Sequence, residues 1–198
     1  MRLFVAIELP EAWKDALADL QRRMQEALDA DTQTASLRLR WVRPEGIHLT
    51  LKFIGEVTAD RLPAIQAQLA LAVPDLPAMT LRLGWAGSFS DRRAPRVIWA
   101  GVYSDEAEAL RRLAEGIETW LAAAGVPRER RGFAAHLTLA RLPNELPDAL
   151  RQRVAEITAT TGLEQADAPR MKVERVSLMQ SHLGPGGARY ERLSAYPE

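Results

Sequence analysis

The sequence predicts an α+β fold made of two similar lobes, and three observations support that prediction. First, the tetrapeptide His48-Leu49-Thr50-Leu51 recurs letter for letter as His136-Leu137-Thr138-Leu139. Second, a basic, turn-rich run precedes each copy, and a positive charge, Lys52 or Arg141, follows it. Third, both halves run through strand, long helix, basic turn, motif strand, second helix and strand in the same order. We therefore interpret the chain as a diverged internal duplication whose halves are related by a pseudo-twofold axis.

The elements of the first half follow from the spacing of its apolar residues. A continuous aliphatic run is typical of a buried strand, apolar–polar alternation is typical of a half-exposed strand, and a spacing of three to four residues is typical of a helix. These criteria predict, in order, a strand over 3–9, a helix over 11–30, a loop over 31–36, a strand over 37–42, the motif strand over 47–54 stopped by Gly55, a helix over 60–73 and a strand over 79–85.

The second half is interpreted in the same way. Glycine and proline just beyond an apolar, helically spaced run indicate the end of a helix, and clusters of glycine, serine and charged residues indicate loops. The predicted elements are a polar loop over 87–95, a strand over 96–102, a helix over 106–124, a basic turn over 128–132, the motif strand over 133–140, a helix over 147–160, a strand over 171–180, a tight turn over 184–187 and a last strand over 188–193.

Composition narrows the class of protein. The chain has 198 residues, enough for one sizeable domain or two closely packed lobes, and its 26 lysine and arginine residues balance 26 aspartate and glutamate residues. It contains no cysteine, which excludes disulfides, thiolate chemistry and cysteine-ligated zinc. No apolar run reaches the length of a membrane span, and the one near the N-terminus is too short for a signal peptide. We expect a soluble cytoplasmic protein with no membrane partner.

The repeated motif has the residue types that phosphodiester chemistry needs. On a strand, His48 and Thr50 point to one face and the leucines to the other, and the same holds for His136 and Thr138. Two such strands facing each other across a cleft would place two imidazoles and two hydroxyls around one small anion. Imidazoles titrate near pH 6.5, so the pair can hold one proton, with one ring as base and the other as acid. Hydrolysis of a cyclic phosphodiester fits this arrangement, with the threonines on the non-bridging oxygens and no metal or cofactor required.

The paired His-x-Thr-Leu strands resemble the 2H phosphoesterases, a superfamily named for its two histidines. Other parts of the chain resemble one branch of it, the LigT-like RNA 2′,3′-cyclic phosphodiesterases of bacteria and archaea. The similar stretches span nearly the whole chain and are residues 2–10, 40–45, 48–56 and 187–190.

This resemblance implies a single domain over residues 1–198, with two lobes of antiparallel sheets and outer helices around a central cleft that holds the active site. It implies opening of a terminal 2′,3′-cyclic phosphate to a 2′-phosphate, with His48 as proton donor and His136 as proton acceptor. It also implies that Arg141 binds the phosphate, although strict strand alternation puts Arg141 on the face of the leucines. One departure is Ala135, where the family usually has proline directly before the second histidine.

The residues around the motifs suggest the partners. Several arginines precede each motif in the sequence, so a protein with no net charge could present a positively charged cleft entrance to an RNA end. We expect the partners to be RNA with 2′,3′-cyclic phosphate ends, tRNA fragments included, or cyclic nucleotides, bound by a monomer. Trp41, Phe53 and Phe133 could stack a terminal base or lie in the core, and His182 is expected to be structural or to line the rim. The arginines are Arg38, Arg40 and Arg43 before the first motif and Arg128, Arg130 and Arg131 before the second.

Several other functions stay open on the sequence alone. The same residues could catalyse the reverse reaction, 2′–5′ ligation of RNA ends, or the hydrolysis of a small cyclic phosphate. A protein of another class, a non-catalytic module that binds RNA ends or nucleotides, could use the same cleft. A metal site is the weakest alternative, because two histidines without nearby carboxylates make a poor ligand set.

Overall fold

Two antiparallel sheets, each with one copy of the motif, form the frame of the protein. The computed structural model describes residues 1–73, 76, 78–91, 94–106, 108–143, 145–161, 168–184 and 187–197. The strands are β1 (Arg2–Glu8), β2 (Arg40–Trp41), β3 (His48–Glu56), β4 (Thr80–Asp91), β5 (Ala94–Ser104), β6 (His136–Arg141), β7 (Arg170–Lys172), β8 (Val176–Gly184) and β9 (Gly187–Tyr196). The helices are α1 (Glu11–Ala30), α2 (Leu62–Ala72), α3 (Ala109–Ala123) and α4 (Asp148–Thr160).

The two sheets place the motif strand in a similar position, but the second sheet has one more strand, β2, beyond it. The first has the strand order β3-β1-β8-β9 and the second β2-β6-β5-β4-β7, with antiparallel pairing between all neighbours. In each sheet the motif strand lies beside the first long strand of its half, β3 beside β1 and β6 beside β5. The predicted α+β fold with antiparallel sheets, outer helices and two related lobes is confirmed. The lobes are not contiguous halves, because β8 and β9 return to the first sheet.

Two of the helices cross from one sheet to the other. The helix α1 buries an apolar stripe that includes Trp13, Leu17 and Met24, and it packs against α4, which covers β4 and β5. In the same way α3 follows a strand of the second sheet but packs on α2 and on β3 of the first. The motif strand β3 therefore packs against a helix from the other half of the chain, and β6 accepts a hydrogen bond from Gln21 of α1. No helix within the described residues is long and apolar enough to cross a membrane.

The helix predictions hold closely, since α1 has the bounds that its apolar spacing predicts. The helix α3 begins at Ala109, three residues later than predicted, after Glu108 with a positive φ of 67°. The predicted helix over 60–73 begins as a 3-10 turn over 59–61 and continues as α2. The prediction over 147–160 differs from α4 by one residue.

Several strand predictions are wrong in extent. The predicted strand over 37–42 is only the two residues of β2, because the preceding turn reaches Leu37, whose amide donates to the carbonyl of Thr34 at 2.8 Å, and only Arg40 and Trp41 pair with β6. The predicted strand over 133–140 begins only at His136. The predicted strand over 171–180 is two strands, β7 and β8, since the chain crosses between sheets at residues 173–175.

Two further predictions are wrong at glycines, the end of β3 at Gly55 and the loop that contains Gly87. Gly55 does not stop β3, which continues to Glu56 with Gly55 at a φ of 87°. The predicted polar loop over 87–95 is instead part of the β4–β5 hairpin. Its small residues leave room for a ring, since a Cβ at Gly87 would lie 2.5 Å from the indole of Trp99. Arg92 and Arg93 of that loop, like Pro185 and Gly186 of the predicted tight turn, lie outside the described residues.

Candidate active site

Both motif strands contain a β-bulge at the last leucine of the tetrapeptide. In the first sheet Ala6 pairs with Thr50 and Val5 pairs with Lys52, so Leu51 is the extra residue. In the second sheet, β5 pairs with Thr138 and then with Ala140, so Leu139 is the extra residue. A bulge places two residues opposite one and shifts the alternation of faces beyond it.

The bulge decides where Arg141 points. Along β6, His136 and Thr138 are half-buried, Leu139 and Ala140 are both buried, and Arg141 is exposed. Strict alternation, which puts Arg141 on the face of the leucines, is therefore wrong at this residue. Because the bulge inverts the alternation, Arg141 returns to the face of the histidine and threonine, and it lines the same cavity as His136.

The two histidine rings are held in the same way. The Nδ1–H of His48 donates to the carbonyl of Gly46 at 2.9 Å, and the Nδ1–H of His136 donates to the carbonyl of Ala134 at 2.7 Å. Each acceptor lies two residues before its histidine. Because a carbonyl can only accept, these bonds fix the tautomer and leave Nε2 of each ring for chemistry. The strands β3 and β6 approach each other with Cα atoms within 8 Å.

His48 lies in an aromatic, largely apolar environment. Its ring stacks on Phe4 at a centroid distance of 4.6 Å and meets the edge of Tyr190 at 4.8 Å. Burial lowers the pKa of His48 below its ordinary value, since a charged imidazole is poorly solvated there. The hydrogen bond to Gly46 and the negative charge of Glu8 oppose that shift.

His136 lies on the rim of a large cavity of about 1140 Å³. Its ring meets Phe89 edge-on at 4.7 Å. Of the predicted site residues, the cavity wall contains Thr50, His136 and Arg141, while His48 and Thr138 lie outside that wall. The structure thus brings a threonine from the first motif together with the histidine and arginine of the second.

The cavity is rich in arginine. Arg40, Arg128 and Arg131, which the sequence singled out, belong to its wall, whereas Arg38, Arg43 and Arg130 do not. Arg96 also lines the cavity, and the sequence analysis missed it because it opens a strand that is otherwise apolar. No local pattern in the sequence marks Arg96, because its place near Arg141 follows from the β5–β6 register, in which Val97 pairs with Arg141.

The remaining aromatic and histidine candidates fall into two groups, those that line the cavity and those that do not. Phe53 and Phe133 line the cavity, as does Phe89, which the sequence analysis assigned to a loop. Trp41 lies outside the cavity wall, and its Nε1 donates to Gln25 at 2.7 Å. His182 lies on β8, where its Nε2 is 3.0 Å from Oε2 of Glu191.

Lys52, the positive charge after the first motif, does not reach the cavity. Its side chain is 1% exposed, and its Nζ contacts Oε1 of Glu118 at 2.8 Å and donates to the carbonyl of Pro127 at 2.7 Å. The amide of Phe53 donates to Oε1 of Glu129 at 3.2 Å. Together these contacts fasten the basic turn before the second motif onto the first motif strand and α3.

A second polar anchor supports the other motif strand. Gln21 of α1 is buried, and its Nε2 donates to the carbonyl of Val42 at 2.8 Å and to that of the bulged Leu139 at 3.0 Å. Gln21 and Glu118 thus tie the two crossing helices to the two bulged strands. Within the described part of the chain, no three histidine, aspartate or glutamate side chains gather as metal ligands would.

Two antiparallel sheets that each present a His-x-Thr strand are the defining features of a 2H phosphoesterase. The family model for LigT-like phosphoesterases matches residues 7–99 and 102–190, one stretch around each motif. The chain belongs to that family. The two matched stretches also agree with an internal duplication.

Individual relatives match over nearly the whole chain. The RNA 2′,3′-cyclic phosphodiesterase of Methanothermobacter thermautotrophicus is 28% identical over 196 residues, covering 99% of this chain and 98% of that protein. That of Thermus thermophilus is 32% identical over 207 residues, covering 99% and 89%. Among solved structures, TT0787 of Thermus thermophilus has a TM-score of 0.72 at 28% identity, covering 98% and 96%. Escherichia coli LigT complexed with 3′-AMP has a TM-score of 0.64 at 25% identity, covering 98% and 96%.

Proposed function

We propose that this protein hydrolyses the 2′,3′-cyclic phosphate at the end of an RNA chain to a 2′-phosphate, using His48 and His136 as acid and base. The observation that carries the proposal is that the two imidazoles make equivalent hydrogen bonds. Each donates from Nδ1 to the backbone carbonyl two residues before it in the chain. The names of the relatives and the 3′-AMP bound by Escherichia coli LigT support an RNA or nucleotide substrate.

The proposed reaction is an in-line displacement at phosphorus. Nε2 of His136 takes a proton from water while the water oxygen forms a bond to phosphorus. The bond between phosphorus and the ribose O3′ breaks, and Nε2–H of His48 protonates O3′ as it leaves. The products are a 2′-phosphate and a 3′-hydroxyl, and proton exchange with solvent resets the two rings. Each general acid or base contributes about 10²–10⁴-fold to such a reaction.

The remaining motif residues bind the phosphate in this proposal. Thr50 and Thr138 donate to the non-bridging oxygens, whose charge grows in the transition state. Arg141 adds a planar pair of donors that suits two phosphate oxygens. The other arginines of the cavity wall attract the negatively charged RNA end, and this contribution weakens with added salt.

The catalytic unit in this proposal is one chain. Residues 1–198 form a single domain of two lobes with the active site between them, and one chain supplies both motifs, so we propose a cytoplasmic monomer. The substrates are RNA ends that carry a 2′,3′-cyclic phosphate, tRNA fragments included, and cyclic nucleotides. No metal or cofactor takes part in the proposed reaction.

The test is hydrolysis of a 2′,3′-cyclic mononucleotide and of a short RNA ending in the same group, in the presence of EDTA. Wild type is expected to release only 2′-phosphate, and His48→Ala and His136→Ala are each expected to lower the rate by about 10²–10⁴-fold. His182→Ala, the third histidine, is the matched control and keeps the wild-type rate. Turnover near the wild-type rate in either motif variant contradicts the mechanism, and binding without turnover in wild type favours a non-catalytic module.

A further inference from the structure

A strip of aromatic rings continues from His136 across the face of the second sheet that lies opposite α4. Along β5, Ile98, Ala100 and Val102 are buried on the face that α4 covers, so the alternating Trp99 and Tyr103 belong to the opposite face. That opposite face carries three exposed rings, with exposed fractions of 37% for Phe89, 60% for Trp85 and 43% for Tyr103.

Glycines form the floor under these rings. A Cβ at Gly84 would lie 1.9 Å from the ring of Tyr103, and a Cβ at Gly87 would lie 2.5 Å from the ring of Trp99. Any larger residue at either position would displace the ring above it. Glycine in a strand interior marks a close approach of this kind, and here it lets the rings lie directly over the backbone.

The strip is continuous with the proposed active site at one end. Gly101 pairs with His136 and Trp99 pairs with Thr138 in the β5–β6 register. The ring of Phe89 connects the two regions, with its centroid 5.1 Å from that of Trp99 and 4.7 Å from that of His136. Trp85 lies in a bulge of β4 opposite Gly101, one strand further from His136.

Positive charge lies at the other end of the strip. Arg82 pairs with Tyr103, and its guanidinium lies 5.3 Å from the centre of that ring. Arg170 pairs with Arg82 on the neighbouring strand β7. Both arginines share one carboxylate, that of Asp105, at 3.2 and 2.8 Å. Two guanidinium groups on one carboxylate leave a net positive charge at this edge of the sheet.

We propose that this aromatic strip binds the two or three nucleotides that precede the terminal cyclic phosphate of a single-stranded RNA. Their bases stack on Trp99, Trp85 and Tyr103, and the backbone reaches Arg82 and Arg170 at the far edge. Exposed rings on a sheet stack two or three bases in the same way in RNA-recognition domains, and such stacking tolerates any base sequence. The inference rests on the proposed function, because it takes His136 as the position of the RNA end.

The test compares a 2′,3′-cyclic mononucleotide with a tetranucleotide that ends in the same group. Trp85→Ala and Tyr103→Ala are each expected to lower kcat/KM for the tetranucleotide about fivefold or more, the scale of one lost base stack, and to leave the mononucleotide unchanged. Trp85→Phe keeps a ring and restores most of the loss. Trp120→Ala removes an exposed indole on α3, which is not part of the strip, and serves as the matched control.

A binding measurement separates this inference from the proposed function. Fluorescence anisotropy of a labelled tetranucleotide with a plain 3′-hydroxyl end requires no hydrolysis. If wild type does not hydrolyse cyclic phosphates but Trp85→Ala and Tyr103→Ala weaken this binding, the proposed hydrolysis is wrong and RNA binding by the strip is supported. If the two variants hydrolyse the tetranucleotide as wild type does, or lose the same factor on both substrates, the strip is refuted while the proposed function is untouched.

Discussion

His48 and His136 occupy the same position in their strands but have different surroundings. The ring of His48 belongs to a cluster with the rings of Phe4 and Tyr190, and burial lowers the pKa of His48. Among the described residues, the ring of His136 contacts one aromatic ring, that of Phe89, and it faces a cavity with several arginines. The duplicated part is therefore the tetrapeptide with its bulge and its imidazole tautomer, whereas the electrostatic surroundings have diverged.

The residues beyond the bulge show the same divergence. In β3 the bulge is followed by the buried Lys52 and the exposed Phe53, and in β6 by the buried Ala140 and the exposed Arg141. The exposed position carries an aromatic ring in one lobe and a guanidinium in the other, and both line the cavity. The two lobes thus present different chemistry to one ligand, an apolar surface from the first and a cation from the second.

The largest effect is expected on stability and comes from the charged anchor, Glu118 with Lys52, which is compared with the neutral anchor, Gln21. Glu118→Leu is expected to lower the free energy of unfolding by about 3–5 kcal/mol, because it leaves the charged Lys52 buried with a single carbonyl partner. Denaturant unfolding of the purified variant measures this value. The double variant Glu118→Leu/Lys52→Met removes both charges and is expected to recover most of the loss.

The neutral anchor provides the comparison. Gln21→Leu removes two hydrogen bonds to carbonyls, but the carbonyl of Leu139 keeps a bond of 2.9 Å from the amide of Val42. Its expected cost is about 1–3 kcal/mol. Equal losses from Glu118→Leu and Gln21→Leu would contradict the assignment of the larger stabilising role to the charged anchor.

The next effect concerns the exposed position beyond each bulge. Arg141→Ala is expected to lower kcat/KM for a 2′,3′-cyclic mononucleotide by about 10²–10³-fold, the typical loss for one donor that stabilises transition-state charge. Arg141→Lys is expected to recover part of the rate, since it restores the charge but not the paired donors. Phe53→Ala, at the matching position of β3, removes no charge and is the control. A smaller loss from Arg141→Ala than from Phe53→Ala would place the phosphate elsewhere.

The smallest effect is a change in pH dependence that tests which histidine is the acid. Tyr190→Ala opens one side of the His48 ring to water and is expected to raise the pKa of His48 toward its ordinary value. An acid must be protonated to act, so activity falls as His48 loses its proton, and a higher pKa moves the alkaline limb of kcat/KM to higher pH. If His48 were the base, the acidic limb would move to higher pH instead.

Phe89→Ala is the matched variant at the other histidine. It removes an edge-on ring contact of nearly the same geometry, 4.7 Å from His136 compared with 4.8 Å for Tyr190 and His48. The alkaline limb is expected to stay in place in this variant. Movement of that limb by Phe89→Ala but not by Tyr190→Ala would exchange the proposed roles. The cyclic mononucleotide is the substrate for both variants, so contacts with upstream nucleotides do not affect the comparison of their pH profiles.

The sequence predicts those parts of the fold whose signal is local. Periodic apolar residues define α1, and the repeated tetrapeptide locates β3 and β6. The two bulges escape prediction, because an extra residue is defined only by the register with a neighbouring strand. That register comes from β1 and β5, far away in the chain, and it places Arg141 in the cavity and Lys52 in the core.

The two strands of the β4–β5 hairpin were predicted over 79–85 and 96–102, but their extension over residues 87–91 and 94–95 escaped prediction for a different reason. Gly87, Ser88 and Ser90 have the composition of a loop, and only the paired strand explains them. Gly87 is small because Trp99 lies over it, and both serines have partners on β5 in the β4–β5 ladder. Phe89 was therefore assigned to a loop, although it lies on a strand beside His136.

The crossing of α1 and α3 between the sheets has a consequence for how the molecule can come apart. A chain that contained only one half would have a motif strand without its supporting helix and a helix without its strand. Two such half-chains could complete both lobes only by exchanging these helices together with β8 and β9, as in a domain-swapped dimer. The present protein has the architecture of that dimer joined into one polypeptide, so its halves should unfold together as one cooperative unit and not one after the other.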